Sequence, residues 1–305
     1  MDLSEAVRRF VVPGMSIQTG NGMAFPTAAY FEIARRFWGK DPGFTLIGNT
    51  GGAYNFAVFA HGRLVRRIIS GFNGDGYPFP SPNPILTRAF QEGKVVPESW
   101  TYLTLTLRLM AGAMGIPFFP TKSLAGSSME LENREDFGRF ENPFSPGEKV
   151  GLLKALNPDI ALAHGWAADP EGNTILAAPY SGNCYGALAA RKGVIVTVEQ
   201  SKSRFVEKVP YITSPGDKVT TVVSQLGILE KEFGREELRL TAYSPISPNQ
   251  TEEKTVLAAR EQCGWDLQVS PRLQALPLPS AEDLKFIRCF DPKRLFLGGP
   301  EAKKE

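Results

Sequence analysis

The segment Gly126-Ser127-Ser128-Met129-Glu130 places two hydroxyls and a carboxylate within five residues. Such a set can bind the carboxylate of an acid substrate, or move a proton as general acid and base. It can equally be a solvated loop whose serine caps the turn ahead of Glu130 and Glu132. A second set is built on glycine: Gly20-Asn21-Gly22, Asn49-Thr50-Gly51-Gly52 and Gly71-Phe72-Asn73-Gly74 each follow a short apolar run. Glycine lets backbone amides approach a ligand closely, and a helix amino terminus nearby favours negative charge. Donors held in that way suit thioester chemistry, where an oxyanion develops on the carbonyl. Any one loop alone reads as a turn after a strand, whereas three in succession read as a shared site. In that reading Gly20, Asn21, Gly22, Gly51, Gly52, Gly71, Phe72, Ser127 and Ser128 bind substrate or its oxyanion, and Glu130 is the catalytic candidate.

Other reactive residue types are sparse. Of the two histidines, His61 precedes Gly62 in an expected surface turn, and His164 ends an apolar run, where a hydrogen-bonded structural role is expected. Neither has a second ligand at helical spacing, so no metal is expected. No local signature of a Ser-His-Asp or Cys-His device is present. Asp169-Pro170-Glu171-Gly172-Asn173 has the composition of a turn. Glu199 ends a strongly apolar run and must be either solvated or paired, since burial would raise its pKa. Cys184 lies near the start of an expected helix, where it is either a stabilised thiolate or a small buried residue. Gly20-Asn21-Gly22-Met23 fits neither phosphate-binding glycine pattern.

Elements with a parallel-sheet rhythm must position these residues. Met15 to Thr19, Phe44 to Ile47 and Leu64 to Ser70 read as strands that each end on a glycine cluster. Thr27 to Trp38, Ile85 to Glu92 and Tyr102 to Met114 carry helical periodicity, and Pro26 stands where a first turn tolerates proline. The alternation implies βαβ units, hence an α/β fold with a largely parallel open sheet flanked by helices. Residues 121–146 break the rhythm as a long polar loop of the functional or disordered kind. Strands are expected again at Ile160 to Ala163, Val194 to Glu199 and Val219 to Ser224, with a helix over Gly182 to Arg191. The domain is expected over 1–235. Residues 236–305, with a helix at Thr251 to Gln262 and prolines from Pro271 to Pro279, read as an extension packing on that domain or on a partner.

Composition excludes several classes. Among 305 residues, 42% are hydrophobic and 22% charged, with a net charge of +2 and no basic stripe, so nucleic acid is not an expected partner. The three cysteines lie far apart, in neither a disulfide framework nor zinc-ligand spacing, which favours a reducing compartment. Met1 to Phe10 reads as an amphipathic helix rather than a signal peptide, and no apolar run is long enough to span a membrane. A cytoplasmic protein without membrane partners is expected.

The pattern resembles the α subunits of family I coenzyme A-transferases of the glutaconate-transferase type. The resemblance rests on Val12-Pro13-Gly14-Met15-Ser16-Ile17 ahead of a glycine loop and Pro26, on Gly71-Phe72, on Ala113-Met114-Gly115-Ile116-Pro117-Phe118, and on Gly126-Ser127-Ser128. It continues through Pro158-Asp159-Ile160-Ala161-Leu162-Ala163-His164, Ala168-Asp169, Gly172-Asn173 and Val194 to Glu199, covering about residues 3 to 225. It implies the coenzyme A-transferase fold (NagB/RpiA-like), with coenzyme A entering as an acyl-CoA substrate. It also implies a heterodimeric or α2β2-type assembly whose β subunit supplies a glutamate that attacks the thioester. The Ser-Glu-Asn-Gly signature of that nucleophile does not occur here: Glu132-Asn133 is followed by Arg134. Gly20-Asn21-Gly22 stands where the family commonly has Gly-Gly-Phe, and relatives in the family hydrolyse, open a ring in, or decarboxylate acyl-CoA.

Overall fold

A computed structural model describes residues 10–20, 25–52, 55–76, 79–176, 180–231, 236–245, 247, 249–278 and 280–290. The chain begins with β1 (Ser16–Gln18), α1 (Thr27–Phe37), β2 (Phe44–Gly51), α2 (Phe56–His61), β3 (Val65–Asn73), α3 (Pro84–Gln91) and β4 (Val96–Ser99). Each of these strands pairs in parallel with the next. Helix α1 buries Ala29, Tyr30, Ile33, Ala34 and Phe37, the three-to-four-residue spacing of one helical face. The amino-terminal helix expected over Met1 to Phe10 lies, apart from Phe10, outside the described residues.

Helix α4 (Tyr102–Met114) starts at a reciprocal cap, in which the Thr101 side chain accepts from the Thr104 amide and the Thr104 side chain receives the Thr101 amide. Then come β5 (Phe118–Thr121), α5 (Ser128–Glu132), β6 (Phe137–Glu141) and β7 (Lys149–Lys154). The three strands form a separate antiparallel sheet in the order β5-β7-β6. Residues 121–146 are therefore no plain loop. Strand β6 buries only Phe137 of its five residues, so it lacks the alternation that betrays a strand.

The remaining elements are β8 (Ile160–Ala168), β9 (Thr174–Leu176), α6 (Tyr180–Ala189), β10 (Val194–Val198), β11 (Val219–Val223), β12 (Gly227–Lys231), β13 (Leu238–Tyr243), α7 (Glu252–Glu261), β14 (Val269–Ala275) and α8 (Ala281–Phe290). The large sheet runs β14-β13-β12-β11-β10-β8-β1-β2-β3-β4, with β9 pairing antiparallel to β8 off that path. Along the path it is parallel from β4 through β11, and only β12 runs antiparallel to both its neighbours. Helices α1, α2 and α3 share one apolar cluster with Ile17, Leu46 and Ile68. Helix α4 packs on the opposite face, against Ile47 and Ile69. The expected α/β class and mostly parallel sheet are what the chain adopts.

Two joints matter for the site. The Asp159 carboxylate accepts from both the amide and the hydroxyl of Ser16, each at 2.9 Å, and the Asp159 amide returns a bond to Ser16 Oγ at 2.9 Å. That latch holds the start of β1 against the start of β8. At the other end of the chain, β13 and β14 extend the large sheet, and α8 folds back on α1. The Phe286 ring lies 4.7 Å from Trp38 and 5.8 Å from Phe31, and Phe290 lies 5.9 Å from His61. His61, placed in a surface turn by the sequence, is the exposed last residue of α2.

Candidate active site

Strand order reverses between β1 and β8. Chain connections leave β1 toward β2 on one side and β8 toward β10 on the other, so the loops diverge and open a crevice at the carboxyl edge. The three glycine loops exit on this edge. Gly20, buried, follows β1, while Asn21 and Gly22 lie outside the described residues. Gly51 ends β2 and Gly52 follows it, and Gly71 and Phe72 lie near the end of β3. At a strand spacing of about 4.8 Å, the β1 and β3 exits stand roughly 10 Å apart.

The glycines there have packing reasons as well as chemical ones. A β-carbon on Gly51 would sit 1.7 Å from Cδ2 of Phe56, so the first residue of α2 can only approach a glycine. The Gly52 amide donates to Asn55 Oδ1 at 2.8 Å, which occupies it. Gly71 abuts the amino terminus of α4 at Tyr102, and Phe72 is 43% exposed beside it. Tyr30 of α1 lies fully buried beneath the first exit. Burial pushes its hydroxyl pKa up, and the Gly20 backbone and Thr19 side chain only partly offset that rise.

Two side chains beyond those expected from the sequence also line this edge. Gln18 is 1% exposed and donates from Nε2 to the Thr19 carbonyl at 2.6 Å. Asn49 is 2% exposed and donates from Nδ2 to Thr106 Oγ1 at 2.9 Å. Their carbonyl oxygens are buried without a protein partner among the described residues. Unanswered buried acceptors are uncommon and mark places where water or a ligand supplies the donor. The legible signal for Gln18 is a polar residue closing a strand that is otherwise buried.

The Gly126 to Glu130 turn lies toward the outer strand β4. Asn133, which follows α5, donates from Nδ2 to the carbonyls of Ser99, at the end of β4, and Met129. Ser127 Oγ donates to the Leu124 carbonyl at 2.7 Å, and both Ser127 and Ser128 are exposed. Glu130 accepts from Arg139 Nε at 2.6 Å, from Arg139 Nη2 and from the Gly126 amide. The Arg139 guanidinium, helped by the Gly126 amide, holds its carboxyl below the ordinary range. Glu130 is thus an engaged, ionised carboxylate, which must leave Arg139 before it can accept or give a proton.

Across the crevice, His164 on β8 shares a hydrogen bond of 2.9 Å between Nδ1 and Thr197 Oγ1 of β10. Just beyond it, the Arg204 guanidinium stacks 4.5 Å above the Trp166 ring and pairs with Glu199 at 2.9 Å. Glu199 is both solvated, at 66% side-chain exposure, and paired. The Cys184 thiol donates to the Thr213 carbonyl at 3.0 Å, and burial raises its pKa, so it is a packed thiol rather than a thiolate. Asp169 is buried and accepts from the Asn173 amide and side chain, closing the expected turn. Among the described residues no group of three or more His, Cys, Asp or Glu could hold a metal ion, and no helix is long and apolar enough to cross a membrane.

The model of the family described as "Coenzyme A transferase" matches residues 1–225, which includes every element from β1 through β11. The chain belongs to the coenzyme A transferase family. It is 29% identical over 188 residues to the A-type subunit of glutaconate CoA-transferase from Acidaminococcus fermentans, covering 56% of this chain and 57% of that one. It is 30% identical over 205 residues to the A-type subunit of 3-oxoadipate CoA-transferase from Pseudomonas knackmussii, covering 66% and 69%. An uncharacterized protein of Archaeoglobus fulgidus is 28% identical over 229 residues, 74% of this chain. The chain spans only 49% of that protein and 57% of the glutaconate transferase polypeptide. Among solved structures, a variant of the decarboxylase AibA/AibB superposes with a TM-score of 0.61 at 30% identity, covering 72% of this chain and 79% of its own. Glutaconate coenzyme A-transferase from Acidaminococcus fermentans superposes with a TM-score of 0.57 at 25% identity, covering 65% and 66%.

Proposed function

We propose that this chain is the α subunit of a two-subunit coenzyme A-transferase, which moves coenzyme A between an acyl-CoA and a carboxylic acid. The observation that carries the reading is the strand-order reversal between β1 and β8 in a chain of this family, with glycine exits along one edge. Its relatives are described as A-type subunits of transferases for glutaconate and 3-oxoadipate, which supports a partner β subunit and carboxylic-acid substrates. In this reading a glutamate of the partner attacks the acyl-CoA carbonyl, and thiolate leaves to give an acyl-glutamyl anhydride. The thiolate then attacks the glutamyl carbonyl, releasing the first acid and leaving a glutamyl thioester. The incoming carboxylate reverses both steps.

This chain's part is to bind and to stabilise charge. The exits at Gly20, Gly51 and Gly71 with Phe72 border the thioester, and the amino termini of α1 and α4 stabilise the oxyanion. Asn21 and Gly22, outside the described residues, and Gly52, once Asn55 releases its amide, are further donors. Ser128 offers its hydroxyl to the acid, and Ser127 does so on leaving the Leu124 carbonyl. Glu130, held by Arg139, fixes that turn unless it is released to carry a proton. Residues 1–235 form the substrate-binding unit and 236–305 complete its sheet or meet the partner. The reducing cytoplasm suits its three free cysteines.

The test is to purify the chain with its co-expressed second subunit, add candidate acyl-CoAs, reduce with borohydride and weigh each chain intact. A glutamyl thioester is reduced to an alcohol, so a mass loss on the second subunit is the expected result. The likeness to the decarboxylase AibA/AibB favours a second reading, cleavage of a carbon–carbon bond in an acyl-CoA. Carbon dioxide release with no mass change on either chain selects it and sinks the transferase.

A further inference from the structure

We infer that His164 is a substrate-contacting residue, whose imidazole Nε2 hydrogen-bonds the carboxylate of the acid substrate in the crevice between β1 and β8. This rests on the transferase reading above for the identity of the ligand, and on the following geometry for its place.

Strand β1 pairs with β8 only at Ile17↔Ile160 and Gln18↔Ala161. On the other side, β10 follows β8 from Ala161 to Gly165, and β9 joins β8 at Gly165↔Leu176. Residues 162–164 therefore border the gap where β1 has turned away and β9 has not yet begun. This is the switch point itself, the place where open α/β sheets bind their ligands. His164 is the titratable side chain of that stretch, and it is half-buried. Its ring is fixed by Thr197 at 2.9 Å, which leaves Nε2 without a protein partner among the described residues.

The surroundings set the protonation state of the ring. Among the described residues, Thr197 bonds the imidazole, and the charges of Arg204, which stacks on Trp166, and of Glu199 act on it. Burial first, then the Arg204 charge, lowers the ring's pKa, against a smaller opposing pull from Glu199. The lowered pKa favours the neutral ring, and the nearby Arg204 charge is paired with Glu199 at 2.9 Å. In the tautomer where the Thr197 hydroxyl donates to Nδ1, the neutral ring carries its proton on Nε2, available to a carboxylate oxygen. A hydrogen bond to an ionised group in a half-buried place is worth more than one in water.

Because the chain holds only two histidines, His61 is a built-in control. The chain, with 15N-labelled histidine and assembled with its second subunit, would be titrated with glutarate, and in parallel with neutral glutaramide and with sodium chloride. The inference expects a saturable shift of the His164 ring resonances with glutarate only, while those of His61 stay fixed. H164Q, used to assign the signals, should lower kcat/KM for glutarate about ten- to a hundredfold, the loss of one charge-assisted bond. T197V should act in the same direction with a smaller loss, because it frees the ring without removing it. His164 resonances that stay fixed at saturating glutarate, or that follow chloride equally, overturn the inference. A saturable shift in a protein that transfers no coenzyme A to glutarate or any other acid would instead uphold the carboxylate contact and dismiss the transferase.

Discussion

Removing the charge of Arg108 should loosen the small sheet that carries the Ser127 to Glu130 turn. Its side chain is 3% exposed, yet it pairs with Glu98 and Asp136, each at 3.0 Å, and donates from Nε to the Lys154 carbonyl at 3.0 Å. The guanidinium also sits 4.2 Å over the Trp100 ring. One residue of α4 thereby ties edge strand β4 to β7 and to the segment leading into β6. Arg108→Met keeps the apolar stem and deletes the charge. Breaking a fully buried pair costs about 3–5 kcal/mol, but here both carboxylates are partly exposed and retain partners. Glu98 keeps the Trp100 indole at 2.8 Å, and Asp136 keeps Lys154 at 2.9 Å. Adding one lost carbonyl bond and the ring contact, we expect a net loss of about 3 kcal/mol. With a urea slope of about 3 kcal/mol per molar, the midpoint should fall by about 1 M. A double-mutant cycle with Asp136→Asn should return a coupling of about 1–2 kcal/mol. A single-variant loss below about 1 kcal/mol, or a coupling within the roughly 0.5 kcal/mol expected of independent sites, would refute the argument.

Two further outcomes are expected. Gly51→Ala drives a methyl into the Phe56 ring, so urea denaturation should show a loss of at least about 2–3 kcal/mol, unlike a surface alanine. The carboxyls of Asp136 and Asp159 are both held below the ordinary range: burial acts to raise them, but Lys154 and Arg108 outweigh it at the first, and Ser16 and Lys192 at the second. Their folded pKa values being depressed, the stability they contribute is complete above the unfolded value of about 3.9 and is lost as pH falls below it. Urea midpoints should thus drop as pH falls below about 4, and Asp159→Asn should lessen that drop while lowering the plateau.

Much of the parallel half was legible because its apolar residues carry the period of their element. Strand β10 buries all five of its residues, and α1 repeats its buried face every three or four. The glycine clusters marked the sheet's carboxyl edge, since a strand that runs into a helix start needs a turn there. Other features had no such imprint. Strand β4 has no buried residue and reads as polar connection. The pairing of β1 with β8 joins residues 143 apart, as in the Ser16 to Asp159 latch, and no local pattern encodes it. Hence the switch point, and with it the place of His164, emerged only from topology. Glu130 was legible as a carboxylate near hydroxyls, but its hold on Arg139, nine residues on, depended on a β6 strand that the sequence hid.

The sheet order also governs when during synthesis the crevice can exist. Strand β1 is made well before β8, its partner on one side, which follows only after the small sheet has been translated. Until then, the β1 edge and the apolar face of α1 lack their final cover, and Phe31 and Trp38 wait longer still, for α8 at the far end of the described chain. Contacts so distant in sequence close slowly, because loop entropy is spent before they form. A nascent chain stalled before residue 160 would therefore expose an unpaired parallel edge, the kind of surface that sticky intermediates share and holding chaperones shield.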